Sequence, residues 1–230
     1  MNAALGYQPH WIREDFVDFI LQTIKPNLAW KRIVAEVTAT KSLCTDMVLL
    51  TLNPNHNFDL NQVKAGQSVL LSLKIEGVYQ QRSYSIVNVT AQGEIQLGVS
   101  VQGVVSNAVQ QLRIGDHVEI SQPQGEFVLH QGQQAALMMA SGSGITAIYS
   151  LLKQAIEQNL NEIHVLYFNR AEVFHQEILA LAEQHPQLKY HFFKTAQQKQ
   201  HLDTALLEKL VPNFKQLQSY ACAHHSMMRQ

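Results

Sequence analysis

Ile33, Ala35 and Val37 fall at every second position, and the same period of two returns at Val69, Leu71, Leu73 and Ile75. That period places apolar side chains on one face of an extended strand. Met47–Leu52, Gln81–Val89, Glu94–Val101 and His117–Gln122 continue the series. Asn53-Pro54-Asn55, Gly77, Gln92-Gly93, Gly115-Asp116 and Pro123-Gln124-Gly125 punctuate it. Six short strands at this spacing predict an antiparallel barrel or sandwich, with a helix over Val104–Leu112 before the last strand.

After Gln131 the pattern changes. Ala136–Ala140 is a continuous apolar run, as a parallel strand buried on both faces would be. A Gly-rich turn and a helix over Thr146–Gln158 follow. Strands Ile163–Phe168, Leu188–Phe193 and Ser219–Cys222 then alternate with helices Glu172–Gln184 and Leu202–Leu210. Alternating strands and helices predict a parallel sheet, whose ligands sit at the carboxyl ends of the strands. Ahead of both parts, Ile12, Phe16, Phe19, Ile20 and Ile24 carry helical spacing that Pro26 stops. The expected organisation is a helical arm over residues 1–28, a β domain over 29–131 and an α/β domain over 132–230.

Composition fits this picture: of 230 residues, 46% are hydrophobic and 15% charged, which is a globular balance. The formal net charge of −1 and the lack of a basic stretch argue against nucleic acid as a partner. Two cysteines, Cys44 and Cys222, make no disulfide framework and suit a reducing compartment. An iron–sulfur cluster of plant type needs four thiolates, so this chain cannot hold one alone. No apolar run approaches bilayer length and no basic segment followed by an apolar core opens the chain, so no membrane span and a cytoplasmic location are expected.

Four segments carry candidate chemistry. In Arg82-Ser83-Tyr84-Ser85 the strand period puts Arg82 and Tyr84 on one face. Arginine grips phosphate bidentately and tyrosine stacks on a flat ring, so the pair suits a ligand with both; the plainer alternative is a surface arginine beside a packed tyrosine. Gly103-Val104-Val105-Ser106 opens a helix, where free N–H groups and the positive dipole end favour phosphate; equally, Ser106 only caps the helix. Gly142-Ser143-Gly144-Ile145-Thr146 lies between strand and helix, the setting that binds pyrophosphates, although Ala147 leaves the full glycine fingerprint incomplete. Cys222 ends the last strand at the same sheet edge, as a ligand contact or as inert packing. The spacing of Cys222, His224 and His225 matches no standard zinc pattern, so no metal is expected.

Taken in order, these segments resemble the ferredoxin–NADP reductase family. Arg82–Ser85 resembles its RxYS flavin motif, and Gly103–Ser106 its second flavin-phosphate segment. Gln122-Pro123-Gln124-Gly125-Glu126-Phe127 resembles the turn that closes its barrel, and Gly142–Thr146 its nucleotide turn. Tyr167-Phe168-Asn169-Arg170 with Glu177, Ile178 and Leu181 resembles the next strand and helix, and Cys222 stands where the family has Cys-Gly-Pro. The N-terminal helix and the spacing resemble most the reductases that serve fatty acyl desaturases and oxygenases.

The resemblance implies a six-stranded antiparallel flavin barrel followed by a nucleotide-binding α/β domain. It implies FAD and NADPH as cofactors, with NADH as the other dinucleotide, and a ferredoxin or a fused or separate 2Fe-2S protein as partner. Arg82 would hold the flavin pyrophosphate, Tyr84 would stack on the isoalloxazine, and Ser85 would hydrogen-bond near N5. The backbone of Gly103, Val104, Val105 and Ser106 would cradle phosphate. Gly142, Ser143, Gly144, Ile145 and Thr146 would take the dinucleotide's pyrophosphate, Arg170 the adenosine 2′-phosphate, and Cys222 would lie beside the nicotinamide. Hydride would pass from nicotinamide to flavin and electrons would leave singly.

Three departures stand against the pattern. Ala147 replaces a Pro after the Gly-rich turn. Ala223-His224 replaces the Gly-Pro after Cys222, which sets a methyl group where close approach is expected. The chain stops at Met227-Met228-Arg229-Gln230, where the family continues, so the α/β domain is expected to be C-terminally truncated. Two alternatives follow: a flavin-binding domain that binds nicotinamide poorly and turns over little, and an interaction module without a cofactor.

Overall fold

The computed structural model describes residues 29–132, 134–195 and 202–223, with Val17 and Ile20 singly in helical geometry. The arm expected over residues 1–28 lies outside the described residues apart from those two, and so do residues 224–230.

Six strands close into a barrel in the order β1-β2-β5-β4-β3-β6. They are β1 (Ile33–Cys44), β2 (Met47–Pro54), β3 (Ser68–Ile75), β4 (Val78–Val89), β5 (Ile95–Ser100) and β6 (His117–Ile120). The short β6 closes it by pairing with β1 and β3 at once. The alternating residues that predicted the strands face inward: Ala35, Val37, Leu50, Leu52, Val69, Leu71, Ile95 and Leu97 are fully buried. Strand β1 runs well past Val37, where the visible alternation stops, because register shifts between Val37 and Ala39 and between Ser42 and Cys44 break the period of two. Helix α1 (Val104–Gln110) sets Val105 and Val109 into the barrel core.

The second part is a parallel sheet in the order β10-β7-β8-β9. Its strands are β7 (Ala135–Ser141), β8 (Glu162–Asn169), β9 (Leu188–Lys194) and β10 (Gln218–Cys222). Helices α2 (Ile145–Glu157), α3 (His175–Gln184) and α4 (Thr204–Leu210) connect them. Ile163, Val165 and Tyr167 of β8 pack with Ile148, Leu151 and Leu152 of α2, while Leu166 and Phe168 pack with Leu206 of α4 on the opposite face. The unbroken apolar runs reflect this covering of both faces. Helix α4 starts where Asp203 accepts the Leu206 N–H at 2.7 Å.

Helix α3 begins at His175 rather than at the expected Glu172. Phe174 adopts φ 56°, which excludes it from a right-handed helix, and its buried ring stacks on Tyr149 with centroids 4.6 Å apart. The hydrophobic spacing across 172–174 is helical, but the burial of Phe174 decides the backbone.

Helix α2 joins the two parts. Ser150 accepts the Gly66 N–H at 2.9 Å and donates to the Ala147 carbonyl at 2.8 Å. Lys153 donates to Asn88 of β4 at 2.7 Å, and burial pushes its amine below the usual lysine range. At the start of the helix the Thr146 methyl lies on Gly98 of β5, where a β-carbon would collide with it. No described helix is long and apolar enough to cross a membrane.

Candidate functional site

The join between barrel and sheet leaves a cleft of about 500 Å³, within the range of small-molecule sites. Ser83, Tyr84 and Ser85 of β4 form one wall, and the turn Gly142–Gly144 with Thr146 and Cys222 forms the other. Segments far apart in sequence thus meet because β4 runs beneath the start of α2. The cleft's lining includes no formally charged side chain among the described residues.

Tyr84 pairs with Val69 and Arg82 with Leu71, two positions apart, so both lie on the same face of β4. Tyr84 is only 9% exposed and belongs to the barrel core; burial raises its phenol above the usual tyrosine range, with Arg82 opposing weakly. Arg82 lies further out, exposed, with Nη1 donating to the Gln81 carbonyl at 2.7 Å. The sequence places arginine and ring on one face, and the strand does so. Ser83 donates to the Ser68 hydroxyl at 2.8 Å.

The start of α1 divides its residues between roles. Val105 is core, Val104 is exposed, and Ser106 is buried. The Ser106 hydroxyl accepts the Gln102 and Gly103 N–H groups at 3.0 and 2.9 Å and donates to the Gly103 carbonyl. Capping, one of the two roles open to Ser106, is therefore present. The first N–H groups of the helix lack intrahelical acceptors by geometry.

At the Gly-rich turn, Thr146 donates to the Ser143 carbonyl at 2.8 Å. Ile145 is fully buried and does not line the cleft, while Gly142, Ser143, Gly144 and Thr146 do. A β-carbon on Gly144 would run into the Cys222 carbonyl, so the turn and the end of β10 meet only because this residue has no side chain. Burial raises the Cys222 thiol above its ordinary value, which keeps it protonated at neutral pH. Ala223 lines the cleft beside it, while His224 is outside the described residues.

A second cleft of about 410 Å³ shares Ser100, Gln102 and Ser141–Ser143 with the first. Its far wall is Asn169, Arg170 and Thr195. Asn169 is fixed on both sides, donating to the Tyr167 hydroxyl at 2.6 Å and accepting the Arg170 N–H at 2.8 Å. The Thr195 N–H donates to the Asn169 carbonyl at 2.9 Å. Burial pushes the Tyr167 phenol far above its usual range, so it stays neutral. Cys44 and Asp46 reach this cleft from the turn between β1 and β2.

Sequence reasoning missed several lining residues. Ser141 adjoins the Gly-rich turn, and Ser100 and Gln102 adjoin the start of α1, so proximity to a motif was a usable signal for them. Gly98, Cys44, Asp46 and Thr195 belong to no motif; only tertiary pairing brings them to the clefts.

A closed six-stranded barrel followed by a parallel sheet with helices is the two-domain fold of flavin and nicotinamide-nucleotide oxidoreductases. Residues 34–129 match the oxidoreductase FAD-binding domain and residues 138–230 the oxidoreductase NAD-binding domain. The chain belongs to the ferredoxin–NADP reductase family of flavoprotein oxidoreductases. It is 25% identical over 225 residues to an NADPH oxidoreductase of Mycobacterium tuberculosis, covering 93% of this chain and 59% of that one. It is 32% identical over 136 residues to DmpP, the reductase component of phenol 2-monooxygenase from a Pseudomonas species, covering 55% and 38% respectively. A ferredoxin NADP+ reductase from Neisseria gonorrhoeae, solved with FAD and NADP, shares the fold with TM-score 0.70 at 15% identity over 87% of this chain and 88% of that one. The first of the curated relatives extend well beyond the match, for the chain spans 38% to 59% of their length.

Proposed function

We propose that this chain takes hydride from NADPH, with NADH as the other donor, onto FAD and passes electrons singly to a ferredoxin-type iron–sulfur protein of an oxygenase or desaturase system. The observation that carries the reading is the meeting of Tyr84 and Ser85 with Gly142–Gly144, Thr146 and Cys222 across one cleft. FAD, when bound, supplies the conversion of a two-electron donor into a one-electron source.

The protein's own part is to bind and orient. Tyr84, which lines the cleft, would meet the flavin ring, Arg82 would hold the flavin pyrophosphate, and the backbone of Gly103–Ser106 would cradle phosphate. The Gly142–Thr146 turn would take the dinucleotide pyrophosphate and Arg170 the adenosine end. Cys222, held neutral by burial, would lie against the nicotinamide without adding charge. In this reading the flavin domain is residues 29–131 and the nucleotide domain 132–230. The DmpP relative, named as a reductase component of a monooxygenase, supports an electron-transfer role for this chain.

The test is the absorbance spectrum of purified protein before and after anaerobic NADPH. Flavin bands that bleach support the proposal; a colourless protein that takes up no added FAD refutes the Arg82 and Tyr84 assignment. One observation favours a second reading, in which flavin binds but nicotinamide binds poorly: Ala223 puts a methyl group on the lining of the same cleft. Persistent flavin bands under NADPH, restored to bleaching by Ala223→Gly, would establish that reading instead.

A further inference from the structure

Two side chains in the lining of the second cleft are formally charged, and they come from different domains. Asp46 stands on the turn between β1 and β2 of the barrel, and Arg170 follows β8 of the sheet. Both are exposed. Asp46 is held firmly: its carbonyl accepts the Val101 N–H at 2.8 Å, and Oδ1 accepts the Cys44 thiol at 3.0 Å. Its other carboxylate oxygen has no partner among the described residues. Arg170 is bonded there only through its backbone N–H, to Asn169.

Asp46 and Arg170 line the same cleft of about 410 Å³, and at 0.1 M salt charges are screened only beyond about 10 Å. A phosphate lodged between the two therefore interacts with both. Arg170 attracts it and Asp46 repels it. A ribose hydroxyl is different, because it can donate to the free carboxylate oxygen.

We propose that Asp46 is a specificity-determining residue: from the flavin domain it opposes Arg170 and shifts the nucleotide cleft toward the dinucleotide that carries a 2′-hydroxyl in place of a 2′-phosphate. This rests on the second cleft being the nucleotide site. Selectivity then depends on how closely the two domains meet, because the acid rides on one and the base on the other. The Ser150–Gly66 hydrogen bond and the Thr146–Gly98 contact hold them together.

The test is calorimetric binding of two unreactive probes, 2′,5′-ADP and 5′-ADP, to the FAD-loaded full chain. Asp46→Asn keeps an acceptor for the Cys44 thiol and removes the charge. The ratio of affinities should move about three- to tenfold toward 2′,5′-ADP, and the shift should shrink in high salt. Asp46→Glu should keep the wild-type ratio, and Arg170→Gln should move it the opposite way. An unchanged ratio in Asp46→Asn, with both probes still binding, overturns the role of Asp46 and leaves the nucleotide site standing. Failure of both probes to bind wild-type protein overturns the nucleotide reading of this cleft, and the role of Asp46 with it.

Discussion

Gly144 and Cys222 meet so closely that a β-carbon on the glycine would coincide with the cysteine's carbonyl oxygen. The contact is with backbone, which has no rotamer to give way. Gly144→Ala should therefore displace the end of β10 and cost about 1–3 kcal/mol, as overpacking does. Thermal denaturation would read the loss. Because the change lies on the nucleotide side, flavin absorbance should survive while dinucleotide affinity falls.

Gly98 and Thr146 form the matching contact between domains. Gly98→Ala alone should destabilise, since the new methyl meets the Thr146 methyl. Thr146→Ser removes that methyl and keeps the hydroxyl that bonds Ser143. A double-mutant cycle should show the pair recovering much of the single-mutant loss, with coupling of about 0.5–3 kcal/mol. Strict additivity would show that the contact does not join the domains.

Ser150→Ala should leave the Gly66 N–H buried without an acceptor, at a cost of about 1–3 kcal/mol. Urea denaturation measures this. Hydrogen exchange at Gly66 should also accelerate, a signal that a general loss of packing on α2 would not confine to that amide.

Arg82→Gln should weaken FAD retention by about tenfold or more while leaving the barrel folded, because the side chain is exposed and among the described residues bonds only the neighbouring carbonyl. Fluorescence titration of the apoprotein with FAD gives the ratio, and circular dichroism checks the fold.

Glu162 responds to acid. Hydrogen bonds from His164 first, then Asn213 and Lys189, hold its carboxyl down at about 2. A depressed carboxyl contributes stability fully above the unfolded value and loses it as pH falls through the folded one. Stability should thus drop from about pH 5 toward pH 2, and Glu162→Gln should flatten that slope while leaving the alkaline side unchanged. Denaturant midpoints across that window test it.

Period and punctuation made most of the fold legible: both halves, and the order of the four motif segments, follow from the chain alone. What escaped has physical causes. The bulges in β1 hide its second half, because each extra residue flips the faces. The late start of α3 follows from Phe174 entering the core, a tertiary decision that spacing over 172–174 does not encode. In the site, residues with unusual local demands, such as Gly142 at φ 55°, announce themselves. Asp46, Thr195 and Gly98 have ordinary local roles, on a turn, after a strand and within a strand, and acquire meaning only from what the fold sets opposite them.

The wall of Ser100, Gln102 and Ser141–Ser143 belongs to both clefts at once. Two occupants that press on one partition cannot be indifferent to each other. Whatever free energy a resident flavin lends to dinucleotide binding, the dinucleotide must return in equal measure to flavin retention. Dilute protein should therefore retain more of its flavin at equilibrium when an unreactive nucleotide fills the neighbouring cleft, and cofactor supply and cofactor loss become two sides of one equilibrium.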